Sequence, residues 1–359
     1  MFTLERRVEQ SKSWLALSPI MAIGLTILSG IIIFSVLDKD PWISLYTFFI
    51  QPLTTGFGFT ELIVKATPLI LIGVGLSIGF KANVWNIGAE GQFTMGAIAG
   101  GGTALFLNTQ ESFLVLPAVL LMGILGGIVW GMIPAFLKTK FNANEILTSL
   151  MLSYVALLIL SYLVHGPWRD PGGYNFPESE IFSDFAMLPI LLEGTRLNLG
   201  TGFALLSVLI IYILLSRTVL GYQFKVVGLA PAAAKYAGFD RAKLIWLSMI
   251  ISGGLAGLAG ISEVSGTIGQ LLPSVSPGYG FTAIIVAFLG RLNPVGVLFA
   301  GLIMALTYIG GENAQIEIGL PAAVTGLFQG IILFFLLTCD VLARYRLRYK
   351  PFLKARDRE

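Results

Sequence analysis

Charge is missing from this chain in long stretches. Uncharged runs cover residues 13–37, 41–60, 66–80, 91–110, 112–137, 146–168, 197–216, 244–262, 264–290, 292–311 and 318–339. A helix needs about 20 apolar residues to cross the hydrocarbon core of a bilayer, and most of these runs reach that length. Only 12% of the 359 residues are charged and 55% are hydrophobic, where a soluble domain carries about 25% charge. So few polar groups cannot cover a water-facing surface of this size. The lipid bilayer is the expected surrounding, and a soluble enzyme, a nucleic-acid binder and a disordered protein are all disfavoured. A single cysteine, Cys339, leaves no internal disulfide framework, and a single histidine, His165, argues against a His-based metal site or triad.

Two runs do not read as simple spans. Residues 41–60 carry Pro41, Gln51, Pro52, Thr54, Thr55, Gly56 and Gly58, which predicts an interfacial or re-entrant stretch. Residues 269–278 read Gly-Gln-Leu-Leu-Pro-Ser-Val-Ser-Pro-Gly, so only 279–290 of its run is helical, and it is short. The first apolar run, Leu15 to Leu37, has 23 residues. A cleaved signal peptide has an apolar region of about 7–15 residues, so this run is expected to remain as the first span.

Orientation follows from Lys and Arg. With the N-terminus inside and each helical run crossing once, 19 of the 23 basic residues fall inside, while Lys39, Arg169 and Arg196 fall outside and Lys65 lies within a span. This is the positive-inside bias. Seven basic residues follow Cys339, so the C-terminus is also expected inside, which requires an even number of crossings. Counting 15–37, 60–80, 84–107, 114–137, 145–164, 199–216, 244–266, 279–290, 294–311 and 321–340 gives ten. The short 279–290 segment must then cross, preceded by irregular backbone of a kind tolerated at membrane depth only inside protein or beside an aqueous cavity. Residues 269–280, with Gln270 and Ser274, are therefore pathway candidates; a tight outer loop is the other reading.

Glycine recurs at four-residue spacing, at Gly75 and Gly79, Gly96 and Gly100, Gly123, Gly127 and Gly131, and Gly253 and Gly257. Small residues let helix backbones approach closely in lipid, so a compact polytopic bundle is predicted. Gly56–Ile63 and Gly278–Ile285 agree at five of eight positions, a local match that hints at an internal repeat.

Intramembrane carboxylates are costly and usually face a cavity or a partner. Glu90 lies in Asn86-Ile-Gly-Ala-Glu-Gly-Gln92, where Asn86 suits an N-cap and the helix dipole favours Glu90. It is either a tether of this helix end near Lys81 or, with Asn86 and Gln92, a polar element of the pathway. Asn144 and Glu145 open the 145–164 helix at the inner face in the same way, and Glu263, near the outer end of its span, is expected to reach water. No phosphate loop, zinc-binding helix motif, cysteine pair or serine nucleophile motif is present. His165 reads as a surface residue and Cys339 as a small core residue.

The loop Arg217–Lys243 reads RTVLGYQFKVVGLAPAAAKYAGFDRAK. Pro231 suits the first position of a helix and Gly238 the residue after its end. Ala232, Ala233, Ala234, Lys235, Tyr236 and Ala237 between them predict a two-turn helix on the inner surface. This loop resembles the coupling loop of ABC-importer permeases, whose E-A-A-x-x-x-G pattern docks onto the ATPase subunit. Ala233, Ala234 and Gly238 fill the A-A-x-x-x-G positions, and Ala232 stands where the pattern has Glu. Asn86–Gln92, Asn144–Tyr154 and Gly228–Gly238 are similar to segments of the nucleoside and simple-sugar branch, and the resemblance runs from about residue 60 to 340.

The resemblance implies a permease of the type II importer kind in a bacterial cell membrane, working by alternating access without covalent chemistry. Residues 1–14 would be a cytoplasmic N-terminus and 15–342 a single transmembrane domain, with the coupling loop at 217–243 and an outer loop at 165–198. Residues 343–359 would form a basic cytoplasmic tail. It also implies a second, similar permease, two ATPase domains that hold ATP and Mg, and an extracytoplasmic binding lipoprotein. Arg169 and Arg196 of the outer loop are candidates for docking carboxylates on that lipoprotein; an ordinary loop anchored by Trp168 is the other reading. A nucleoside is the leading cargo and a simple sugar the alternative. A proton-coupled secondary transporter using Glu90 and an intramembrane enzyme are the competing classes.

Overall fold

The computed structural model describes residues 2–6 and 12–349. Arg7 and the tail beyond Tyr349, with Lys350, Lys354, Arg356 and Arg358, lie outside the described residues. Each of the ten apolar segments coincides with a helix. They are α1 (Lys12–Val36), α3 (Gly56–Lys81), α4 (Ala89–Phe106), α5 (Val115–Phe141), α6 (Glu145–His165), α7 (Gly200–Arg217), α10 (Arg241–Glu263), α11 (Tyr279–Leu289), α12 (Pro294–Ile318) and α13 (Ala323–Arg344). Six of them, α3, α5, α6, α7, α10 and α12, are long and apolar enough to cross a bilayer on those criteria alone. The remaining helices are short: α2 (Pro41–Leu45), α8 (Val219–Leu229) and α9 (Pro231–Tyr236).

The chain divides into two compact units, residues 1–51 with 310–359, and residues 52–309. In the first, α1 packs against α13, and α2 runs on through a π turn at Tyr46–Ile50. Phe34, Phe48 and Phe328 form its centre, with ring centroids 4.8 Å apart for Phe48–Phe328 and 5.5 Å for Phe34–Phe328. The stretch 41–53 is thus a string of short helical turns, and Gly56 and Gly58 of the same apolar run lie in the first turn of α3. One departure from an all-helical chain appears here. A two-stranded antiparallel ribbon pairs β1 (Phe2–Arg6) with β2 (Tyr345–Tyr349), Phe2 opposite Tyr349 and Arg6 opposite Tyr345.

In the second unit, α10 packs against α3, α4 and α5. The regularly spaced glycines converge on one seam. A Cβ on Gly96 would strike the Gly257 backbone, and one on Gly127 the backbones of Gly253 and Gly257. These backbones touch because there is no side chain to hold them apart. The outer helices α5, α6 and α7 turn Leu121, Leu125, Leu158, Tyr162, Leu205 and Leu209 outward.

One span differs from its expected form. Residues 84–107 do not form one helix, because Val84–Ile87 is irregular and α4 begins only at Ala89. Val84 and Asn86 are buried nevertheless. A buried irregular segment must find partners for its backbone groups, and the polar residues around Asn86 supply them.

Candidate functional site

At the inner loop the sequence folds as its punctuation dictates. Thr218 caps α8, its hydroxyl accepting from the Gly221 amide at 3.2 Å. Pro231 opens α9 at its first turn. Gly238, at φ +75°, reverses the chain after it, and Asp240 caps α10 through the amides of Ala242 and Lys243. Ala234 is the one residue of α9 that packs inward, at 3% exposure, whereas Tyr236 is 98% exposed. Pro231, Ala232, Ala233 and Lys235 are also exposed. A cleft of about 550 Å³ lies beside them, lined among others by Val227, Phe239 and Arg241. Helix α8 itself has no counterpart among the sequence expectations. Gly228 on α8 lies against the Lys81 carbonyl at the end of α3, with no room for a Cβ.

Deeper in the same unit a polar network surrounds the start of α4. The Asn86 amide nitrogen donates to Gln92 Oε1 at 2.8 Å and to Ser252 Oγ at 2.7 Å. In return Gln92 Nε2 donates to Asn86 Oδ1 at 3.2 Å, and that oxygen also accepts from the Gly88 amide at 3.1 Å. On α6, Ser149 Oγ accepts from the Ile87 amide and Ser153 Oγ from the Gly91 amide, at 3.1 and 3.2 Å. Ser149, Ser153 and Ser252 were not singled out from the sequence. The i, i+4 spacing of Ser149 and Ser153 on an otherwise apolar helix is the signal that marks them.

Glu90 sits in the first turn of α4 at 2% exposure. Its carboxylate accepts from the Gly280 amide at 2.6 Å, with the Phe281 amide and the Ser276 hydroxyl near it. Its hydrogen-bond partners thus belong to the start of α11, not to Lys81. The Ser276 oxygen in turn accepts from the Gly278 and Tyr279 amides at 3.1 and 2.9 Å. The two helix starts meet so closely that a Cβ on Gly280 would strike the Glu90 backbone. Both ends carry partial positive charge, and the Glu90 carboxyl group lies between them.

The remaining candidates lie elsewhere. Asn144 caps α6 and is exposed, and Glu145 pairs with Lys138 at 2.9 Å. Gln270 donates to Glu178 of the outer loop at 2.9 Å, and Ser274 is exposed. The outer loop is strapped onto the segment after α10. The Ser179 amide donates to the Leu271 carbonyl, that of Phe182 to Gly269, and that of Leu188 to Ser265. Trp168 packs where a Cβ on Gly102 would fall, anchoring the loop as its indole suggests. Arg169 is exposed and donates to Asn175 Oδ1 at 2.6 Å. Arg196 makes a two-pronged contact with Glu61, which is itself buried in α3. Glu263 is partly buried rather than open to water. It lines a cavity of about 10 Å³ with Thr67, Asn198 and Ser262, and the charges of Lys65 and Arg196 act on it.

Comparison with known proteins identifies the family. Residues 58–337 match the family described as branched-chain amino acid transport system / permease component. The chain is similar to the glucose ABC transporter permease protein TsgB13 of Haloferax volcanii, 37% identical over 93% of this chain and 90% of that protein. It is similar to the guanosine ABC transporter permease protein NupP of Bacillus subtilis, 32% identical over 80% and 82% respectively. It is also similar to the nucleoside ABC transporter permease protein NupB of Lactococcus lactis, 28% identical over 91% and 92%.

Proposed function

From the premise that this chain belongs to the branched-chain amino acid transport system / permease component family, we propose that it carries a nucleoside through the membrane for an ABC importer. As a member it is a multi-pass permease subunit of the cell membrane and not itself an enzyme. The short helix α9 is the observation that carries the coupling half of this reading. It is held by Ala234 alone, and Tyr236 and the Ala232–Ala233 face are left bare at the end of a 27-residue loop. An exposed aromatic beside a cleft suits insertion into a partner, and the partner is an ATPase that holds ATP and Mg.

The chain crosses the membrane ten times with both termini inside. The β1–β2 ribbon supports an even number, because it joins the two terminal segments directly. Residues 15–342 act as one transmembrane domain, completed by a second, similar permease in a heterodimer. The outer loop 165–198 receives a binding lipoprotein, with Arg169 the better placed of its two arginines. Asn86, Glu90 and Gln92 organise the wall of the pathway rather than line it. Two relatives bearing nucleoside and guanosine names favour a nucleoside; the glucose name of a more identical relative keeps a simple sugar as the second reading.

Uptake by the assembled transporter is expected to continue on ATP after the membrane potential and proton gradient are collapsed. Uptake that stops with the gradient while ATP stays high overturns the assignment. Unlabelled guanosine competing for uptake where glucose does not identifies the cargo class, and the opposite result favours the sugar.

A further inference from the structure

Helix α11 is clasped at both ends, by the first turn of α4 at its start and by the end of α3 with the segment that links α3 to α4 at its end. At its start, the Glu90 carboxylate accepts from the Gly280 amide, and the Gly280 backbone lies directly against that of Glu90. At its end, Phe288 stacks on Phe80 at 5.1 Å and on Trp85 at 5.8 Å. The segment in between, Ala82–Gly88, is fastened at Asn86 to Gln92 and Ser252. Its near end is the Lys81–Ala82 peptide, and Gly228 of α8 is pressed against that carbonyl. Helix α8 in turn leads within two residues into α9. A chain of bodies in direct contact therefore runs from the exposed coupling helix to the irregular segment 269–278, all within one compact unit.

We propose that residues Ala82–Glu90 and α11 move as one rigid block, pushed by α8 at Gly228, and that Glu90 is the positioning residue that holds the block together. Its charge is needed because two helix starts face each other there, and their amides would repel without an anion between them. Gly269–Leu271 is tied to the loop 165–198, while Ser274–Gly278 has no regular backbone and is joined directly to the start of α11, so this half follows α11. This rests on the reading that the loop 217–243 engages an ATPase.

The test uses the full transporter, permeases with ATPase and binding protein, in proteoliposomes. Glu90→Gln keeps the volume and removes the charge. It is expected to co-purify with the ATPase and hydrolyse ATP normally while uptake falls about tenfold, within the range of couplings between distant sites. Glu90→Asp is expected to recover part of the uptake. Spin labels at Ser274→Cys and Glu111→Cys are expected to change separation on ATP-vanadate trapping in the parent, and not in Glu90→Gln. Normal uptake and a normal label shift in Glu90→Gln overturn the proposal.

Should Glu90→Gln fail to assemble, labels at Lys225→Cys and Asn83→Cys in a chain with Glu90 intact decide. Their separation is expected to stay constant through trapping while each moves relative to Glu111→Cys. A change between Lys225→Cys and Asn83→Cys overturns it. Ala233→Trp separates the underlying reading from this one. If it assembles and transports, the coupling loop is misassigned; if it is inactive while Glu90→Gln is normal, only the block is wrong.

Discussion

Asn86 shows how much one side chain can hold. It is 2% exposed and makes four hydrogen bonds to three groups: two with the Gln92 amide, one to the Ser252 hydroxyl and one from the Gly88 amide. Removing a partner from a buried polar group costs its desolvation, about 1–3 kcal/mol. Asn86→Ala is therefore expected to destabilise the purified transporter by about that amount, read from its thermal unfolding in detergent, with Asn86→Asp no better. The two outer arginines divide by the same logic. Arg196 already has Glu61, so Arg196→Ala is expected to lower stability. Arg169 is tied only within its own loop, so Arg169→Glu is expected to weaken association with the binding protein, measured on the detergent-purified complex. An equal loss of association from Arg196→Ala would count against that division.

Among elements, the α4–α5–α10 seam depends on missing side chains. Forcing extra methylenes into such a contact costs about 1–3 kcal/mol. Gly257→Leu, facing Gly96 and Gly127, is expected to lower the unfolding temperature, whereas Gly326→Leu, with open space around its Cα, is expected to leave it unchanged. Helix α9, proposed to engage the ATPase, makes a different demand. Gly238 has φ +75°, and proline is locked near −65°. Gly238→Pro is expected to abolish transport and ATPase co-purification while insertion into the membrane persists. Co-purification at parent yield would show that the turn is not what presents α9.

For the whole molecule, the proposed ten-span arrangement predicts which loops meet which solution. Thr109 precedes α5 and Lys140 lies in its last turn, and the proposal places Thr109→Cys and Lys140→Cys on opposite sides. A membrane-impermeant maleimide is expected to label Thr109→Cys on intact cells and Lys140→Cys only after permeabilisation. The native Cys339 is buried and should stay silent. Labelling of both from outside would break the topology. The ribbon of β1 and β2 belongs at this scale too. It joins residues more than three hundred positions apart and was invisible in either segment alone.

Periodicity and charge placed much of this protein in advance. Ten apolar runs became helices because a chain cannot leave backbone groups unpaired in lipid, and the glycine spacing marked the seam because a four-residue repeat stays on one helix face. The loop helix from Pro231 to Tyr236 followed from local capping alone. What the sequence could not decide is which groups meet. Glu90 finds Gly280 190 residues away, Arg196 finds Glu61 135 away and Asn86 finds Ser252 166 away. Nor could it say which spans are central. The most apolar windows of α3 and α5 are alike in composition, yet 89% of one is buried in the protein and 22% of the other. Lipid and protein interior are equally apolar, so hydropathy is blind to the difference. Only packing in three dimensions put α3 at the centre, turned α5 outward and set Glu90 between two helix starts.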